Sequence, residues 1–191
     1  MAERLVVGIS GASGVIYGIR LLEILRPEPI ETHLVISRAA RVTIHQETSY
    51  QLSQVEALAH SCYSPDDVGA ALASGSFATR GMVVIPCSIK SLAAIASGFS
   101  ADLLSRAADV TLKEGRPLVL VVRETPLHRG HLRMMAQAAE AGAVIFPPVP
   151  AFYTHPQSLE DLIDQTVGRV LSRLGIENKY AKTWNGMSSG S

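Results

Sequence analysis

Five small residues, Ser10–Gly14 (SGASG), lie between an apolar run and an amphipathic segment, a place where backbone N–H groups can bind phosphate. Gly11 and Gly14 let the backbone approach an anion closely, and Ser13 adds a hydroxyl beside a predicted helix N-terminus. The segment matches neither GxGxxG nor GxxxxGK followed by Ser or Thr, which disfavours a standard NAD site and a nucleoside triphosphatase. A tight turn without a ligand explains this segment equally well when it is taken alone. Hydroxyl residues after a later strand favour phosphate binding.

Polar or charged side chains also follow the other predicted strands. These strand ends are Ser37–Arg38, Pro86–Ser91, Arg123–Glu124 and Pro147–Tyr153. Ligands of doubly wound sheets bind beyond the carboxyl ends of the strands, so this edge is predicted to hold the functional site.

Lys113, Arg123 and Arg169 are the candidates for binding an anion there. Lys113 is also explained by its place near a helix C-terminus, where cations are favoured, and Arg123 by an ion pair with Glu124. Arg169 falls at the border of a buried helical stripe, where arginine side chains commonly extend to solvent. As a set, the three cations would surround one concave site with positive charge.

Other residues are better explained by an ordinary structural role. His128 and His131 have no third ligand at helical spacing, which indicates a solvated helix start rather than a metal site. Cys87 follows a proline without a neighbouring base, so packing is favoured over nucleophilic catalysis. Trp184, in a polar tail, is either a packing anchor or a mobile lid over a ligand.

Apolar runs that alternate with helical segments predict an α/β fold. Most runs are apolar at consecutive positions, as in strands that helices cover on both faces of a parallel sheet. The arrangement predicts a flavodoxin-like (Rossmann-type), doubly wound parallel sheet in three α/β/α layers. The segment Tyr50–Arg80, which begins with a polar helix-like piece, is interpreted as a long functional loop. The predicted strands are Leu5–Ile9, Thr32–Ile36, Gly81–Ile85, Pro117–Val122 and Ala143–Phe146, and the helices are Tyr17–Leu25, Arg38–Thr48, Ser91–Ala96, Asp102–Lys113, His131–Ala141 and one that Ser158 caps and Gly175 ends.

Composition narrows the class of protein. The chain has 191 residues, 47% of them hydrophobic, and its net charge is zero, which offers no electrostatic reason to expect nucleic acid or an anionic membrane as partner. Two cysteines without paired or metal-ligand spacing, and no signal peptide or membrane span, predict a cytoplasmic protein. We expect a single domain over residues 1–184 and a flexible tail over residues 185–191.

Taken together, the segments resemble the UbiX family of flavin prenyltransferases from about residue 4 to Trp184. The most specific of them are RAADVTLKEGRPLVLVVRE and FYTHPQS. The others are GISGASGVIYGIRLLEIL, VISRAARVTIHQET, ASGSF and MVVIPCSIKSLAAIASG.

The resemblance implies a metal-independent reaction in which dimethylallyl monophosphate alkylates reduced FMN at N5 and C6 and releases phosphate. It also implies a homododecamer with active sites at subunit interfaces, and transfer of the prenylated flavin to a UbiD-type decarboxylase. Related sequences often have a tryptophan where Val68 stands here, so one aromatic wall of the site is expected to be missing.

The resemblance assigns roles to individual positions. Glu47 and Glu124 match the family's active-site acids. Lys113 is expected to be a third catalytic residue, and Trp184 is expected to be the aromatic side chain that closes over the site. The prenyl phosphate would bind to Lys113, Arg123, Tyr153 and Arg169. FMN would bind to Gly11, Ala12, Ser13, Ser37, Ser88, Ile89, Lys90, Ser91, Arg106 and Arg123.

Two other functions remain open at this point. A flavin-dependent decarboxylase of peptidyl or pantothenoyl cysteine shares this type of fold, but it uses a methionine-asparagine motif where this chain has PPVPAFYTHP. A non-catalytic FMN carrier would have no use for Lys113, Arg169 or Glu124.

Overall fold

The computed structural model of the protein describes residues 3–184 and 186. The predicted tail therefore lies outside the described residues except for Gly186. Residues up to Pro148 form one compact unit, and residues from Val149 onward form a second. A single functional domain over residues 1–184 stays a prediction.

The first unit contains a six-stranded parallel sheet in the order β3-β2-β1-β4-β5-β6. Without the edge strand β3, the remaining strands follow the flavodoxin-like order, as the sequence predicts. Val7 in the middle of β1 lies opposite Leu34 on one side and Val83 on the other. The strands are β1 (Glu3–Ile9), β2 (Ile30–Ile36), β3 (Ser61–Tyr63), β4 (Gly81–Cys87), β5 (Leu118–Val122) and β6 (Ala143–Ile145).

The helices begin and end close to their predicted bounds. Ser158 and Asp161 form the predicted capping box on the last helix, and Gly175 follows its end with φ 70°. The helices are α1 (Val15–Leu25), α2 (Arg38–Glu47), α3 (Leu52–Glu56), α4 (Ile89–Ala96), α5 (Leu103–Lys113), α6 (Arg129–Glu140) and α7 (Leu159–Arg173).

Helices cover both faces of the sheet within the first unit. On one face, Leu92 of α4 and Leu104 of α5 pack in a core with Val6 and Met82. On the other face, α1 lies so close to β4 that a Cβ at Gly18 would be 2.4 Å from the carbonyl oxygen of Ile85. The predicted three-layer arrangement is therefore confirmed.

The segment 50–80 contains more regular structure than the sequence predicts. It holds α3, the edge strand β3 and a short 3₁₀ turn at Ala71–Ala73. The interpretation of this stretch as one loop was wrong about β3. That strand has only the residues SCY, none of them fully buried, so it has no apolar run to reveal it.

Candidate functional site

A buried hydroxyl joins the strand ends at the centre of the sheet. Ser10 is fully buried; its hydroxyl donates to the carbonyl oxygen of Pro86 at 2.8 Å and accepts from the N–H of Ser88 at 2.7 Å. The loops after β1 and β4 are thus held together where the strand order reverses, which is where doubly wound sheets bind ligands. The sequence analysis included Ser10 in the SGASG segment but assigned it no role in the site. A hydroxyl directly after a buried apolar run was the available signal.

We expect Ser10→Ala to lower the free energy of unfolding by about 1–3 kcal/mol, because the substitution leaves the N–H of Ser88 without its acceptor. Urea unfolding of the two proteins measures the change. Ser100→Ala, at an exposed position, is the matched control. Equal stability of all three proteins would show that the Ser10 hydrogen bonds contribute nothing.

A cavity of about 440 Å³ opens beyond these strand ends. Its lining includes most of the hydroxyl residues that were predicted to bind a cofactor, together with one predicted acid. Arg38, from one of the predicted strand ends, also lines it and pairs with Asp66 at 2.8 Å. Asp66 and Asp102 line it too, although the sequence analysis gave them no role in the site. The predicted residues in the lining are Gly11, Ser37, Ser88, Ile89, Lys90, Ser91 and Glu124.

Three helices begin at this cavity, and Asp102 caps one of them, α5. The hydroxyl of Ser37 caps α2 by accepting from the N–H of Ala40 at 3.2 Å, and that of Ser88 caps α4 by accepting from the N–H of Ser91 at 3.3 Å. Helix N-termini attract anions, and the exposed Lys90 adds a positive charge.

Gly11 allows the loop after β1 to lie directly against α2. A Cβ at this position would be 2.3 Å from the Cβ of Ala39, so a larger residue would displace α2 or narrow the cavity. Pockets for cofactors have volumes of roughly 300–1,000 Å³. The size of the cavity, its hydroxyls and its cations therefore fit a flavin mononucleotide.

Glu47 contacts the SGASG segment from α2. Its carboxylate accepts from the N–H of Gly14 at 2.8 Å, at the residue that precedes α1 and has φ 94°. Ala12 and Ser13 do not line the cavity. In this conformation the N–H of Gly14 binds the Glu47 carboxylate and is not available to a phosphate. Within the SGASG segment, Gly11 is the residue that lines the cavity.

The predicted cations lie in different places. Arg123 follows β5 but does not line the cavity. Burial raises the pKa of Tyr17, and the positive charge of Arg123 partly offsets that rise. No ion pair joins Arg123 to Glu124 within residues 3–184, so that alternative was wrong. Arg106 pairs with Asp109 at 2.8 Å on α5.

Lys113 lies at the end of α5 that is remote from the cavity. The helix has 11 residues and is about 16 Å long, and Asp102 at its other end lines the cavity. The ammonium of Lys113 pairs with Glu114. The fold of one chain therefore does not bring Lys113 to the cavity.

The second unit holds a pocket of its own, with a volume of about 580 Å³. Tyr153, Arg169 and Trp184 line it, and the sequence analysis had assigned all three to the site of the prenyl donor. The rings of Tyr153 and Trp184 meet edge to face with their centroids 5.8 Å apart. Arg169 is exposed on α7, and no ion pair within residues 3–184 neutralises it.

Structural roles fit the residues that the sequence analysis set aside. Cys87 is completely buried, and burial raises the pKa of its thiol to about 12, which leaves no reactive thiolate. The rings of His128 and His131 lie 3.6 Å apart at the start of α6. The described residues contain no group of three or more His, Cys, Asp or Glu side chains that could hold a metal ion. No described helix is long and apolar enough to cross a membrane.

Comparison with known proteins explains this combination of residues. The profile of the Flavoprotein family matches residues 1–171. The flavin prenyltransferase UbiX of Escherichia coli K12 is 60% identical over 188 residues, which cover 96% of this chain and 99% of that protein. The chain belongs to the UbiX family of flavin prenyltransferases. The resemblance seen in the sequence is confirmed.

Solved UbiX structures agree in fold with this chain. AnUbiX (PadA1), crystallised in complex with FMN and dimethylallyl pyrophosphate, is 53% identical with a TM-score of 0.96 over 98% of this chain and all of that one. A dodecameric FMN-dependent UbiX-like decarboxylase from E. coli O157:H7 is 49% identical with a TM-score of 0.94, over 96% of this chain and all of that one. These relatives confirm the flavodoxin-like fold and favour prenyl transfer over cysteine decarboxylation.

Proposed function

We propose that this protein transfers a dimethylallyl group from dimethylallyl monophosphate to N5 and C6 of reduced FMN and releases phosphate. The observation that supports this most directly is that each unit of this UbiX-family chain has a pocket suited to one of the two substrates. One pocket is lined by hydroxyls and helix N-termini, and the other by two aromatic rings and the guanidinium of Arg169, which forms no ion pair within residues 3–184. AnUbiX binds FMN and a dimethylallyl donor together.

The cavity of the first unit would hold FMN. Bound and reduced, the flavin supplies the nucleophilic N5 and C6 atoms. Ser37, Ser88 and Ser91 supply hydroxyls that can donate to the phosphate or the ring system, while Lys90 supplies positive charge. Gly11 lets the loop after β1 pack against Ala39 of α2 at the edge of the cavity. Ile89 adds an apolar surface, and Ala12, Ser13, Arg106 and Arg123 remain proposed FMN contacts from the family resemblance.

Arg169 and Tyr153 would hold the phosphate of the prenyl donor. As the allylic C–O bond breaks, negative charge builds up on the departing phosphate, and a guanidinium that binds two oxygens at once stabilises it. The faces of the Tyr153 and Trp184 rings would stabilise the positive charge that remains on the five-carbon group. The donor is a monophosphate, so a few protein cations can balance its charge without a metal ion.

Glu124 is the best-placed acid for moving a proton. It lines the cavity and is exposed, and its carboxylate accepts only from the adjacent N–H of Thr125 among the hydrogen bonds of residues 3–184. It can take the proton that leaves C6 and deliver one to the released phosphate. Glu47, one of the family's active-site acids, would set the position of the loop after β1 through its hydrogen bond to Gly14.

The remote position of Lys113 supports a site that is shared between subunits. A second copy of the chain would bring its Lys113 to the phosphate that Arg169, Arg123 and Tyr153 bind. The E. coli O157:H7 relative is dodecameric, and we propose the same assembly here. We also propose a UbiD-type decarboxylase as the acceptor of the prenylated flavin, and a cytoplasmic location, which suits two free thiols.

Mixed oligomers test the shared site. Lys113→Ala and Glu124→Gln chains, each nearly inactive alone, are co-expressed with different affinity tags, and the oligomers are purified over both tags. We expect these oligomers to regain prenyl transfer, because some sites combine an intact Lys113 from one chain with an intact Glu124 from another. Activity no higher than that of each variant alone would place Lys113 and Glu124 in the same chain's site or Lys113 outside the site.

A further inference from the structure

The chain beyond α7 folds back along that helix. Asn178 donates to the carbonyl oxygen of Gly168 at 3.0 Å, and its side-chain oxygen accepts from the N–H groups of Tyr180 and Ala181. A Cβ at Gly168 would be 2.5 Å from the nitrogen of Ala181, so the returning backbone lies in direct contact with the helix. This contact forms one wall of the pocket that contains Arg169.

A buried amide joins this returning segment to the segment that precedes α7. Gln165 is 3% exposed. Its amide nitrogen lies 3.3 Å from both the Tyr153 hydroxyl and the Lys182 carbonyl oxygen, and its oxygen accepts from the Lys182 N–H at 2.7 Å. One side chain of α7 therefore fixes both the segment before the helix and the segment after it.

The two segments that Gln165 joins carry the aromatic residues of the pocket. Trp184 follows Lys182 by two residues, and its ring contacts that of Tyr153 edge to face. Arg169 lies one helical turn after Gln165, since side chains four apart share a face of a helix. The amide thus bonds to Tyr153 and to the segment that leads to Trp184, one helical turn before Arg169.

We infer that Gln165 is a positioning residue that holds Tyr153 and the segment of Trp184 in register with Arg169. The inference rests on the proposed function of this pocket. An apolar residue of similar size could fill the space of Gln165, but it would remove the hydrogen bonds that Gln165 makes to the N–H and carbonyl groups of Lys182. The segment would then move away from α7, and Trp184 with it.

Gln165→Leu tests the inference with two readouts. Trp184 is the only tryptophan in the chain, so its fluorescence reports the position of this segment without any catalysis. We expect a red-shifted emission, lower anisotropy and a KM for dimethylallyl monophosphate raised about ten- to 100-fold. FMN affinity should stay unchanged, because Gln165 does not line the FMN cavity.

Two further variants separate positioning from general destabilisation. Thr166→Val removes a buried hydroxyl that bonds only within α7 among the described residues, and it should leave both readouts at wild-type values. Gln165→Glu keeps the oxygen that accepts from the Lys182 N–H and should recover most of the Trp184 anisotropy, so it decides the matter if the leucine variant does not fold.

Each outcome has a defined meaning. Unchanged Trp184 emission and unchanged KM in both Gln165 variants would overturn the inference, as would equal effects from Thr166→Val. If the wild-type protein makes no prenylated flavin, the proposed function fails, and the fluorescence of the Gln165 variants alone then decides whether this residue holds the segment.

Discussion

Arg169→Ala is expected to lower kcat/KM for prenyl transfer by about 100- to 1,000-fold, the usual cost of removing one charged group that stabilises a transition state. Arg169 is exposed in the pocket of the second unit, and no ion pair within residues 3–184 compensates its charge. The phosphate of the donor would therefore lose its main cationic partner in the same chain. Steady-state kinetics at saturating reduced FMN measure the loss.

Arg173→Ala is the matched control for this prediction. Arg173 lies on the same helix one turn later and is exposed, but it does not line the pocket. We expect near-normal activity from this variant and normal FMN binding from both. An Arg169→Ala protein with wild-type kcat/KM would remove Arg169 from the site, and equal losses in the two variants would indicate a nonspecific effect of charge on the assembly.

Glu124→Gln is expected to reduce kcat by about 100- to 10,000-fold, the range for loss of a positioned general acid–base group. Glutamine keeps the shape and the hydrogen bond from Thr125 but cannot take up or deliver a proton. The KM for dimethylallyl monophosphate should change little, because Glu124 lines the other pocket. Rapid mixing of reduced FMN with the donor, followed by quantification of modified flavin, measures the chemical step.

Glu140→Gln, an equivalent change at an exposed site near the end of α6, should leave the reaction rate unchanged. Retention of full kcat in Glu124→Gln would transfer the proton role to another acid, for which Glu47 is the first candidate. A fall in FMN affinity without a fall in kcat would make Glu124 a binding residue instead.

The fold was largely readable from the sequence, because buried parallel strands are apolar at consecutive positions and helices carry recognisable caps. The four apolar runs Leu5–Ile9, Gly81–Ile85, Pro117–Val122 and Ala143–Phe146 all correspond to strands. The strand β3 was missed because an edge strand of three half-exposed residues needs no apolar side chains.

The site was readable in part. Strand ends predicted the hydroxyls and Glu124 of the first cavity, since parallel strands deliver their following residues to one edge. The importance of Gln165 could not be predicted, because it depends on which backbone groups lie opposite its side chain in three dimensions. The predicted end of α5 at Lys113, just before a strand, already implied a position remote from the strand ends. Spacing could not show that Glu47 reaches Gly14.

Val68 illustrates a residue whose effect stays a prediction. It lies two positions after Asp66, which lines the FMN cavity, and its side chain is 57% exposed. An aromatic side chain at this position could cover part of the cavity opening, whereas valine covers less. Any influence of Val68 on the choice of prenyl donor would therefore act through the loop after β3 and not through the sheet.

The most direct test of the account is the mass of the flavin after anaerobic incubation of the protein with reduced FMN and dimethylallyl monophosphate. The account predicts that FMN gains one C5H8 unit and that an equal amount of phosphate is released without added metal. Recovery of unmodified FMN from protein that binds both compounds would contradict it.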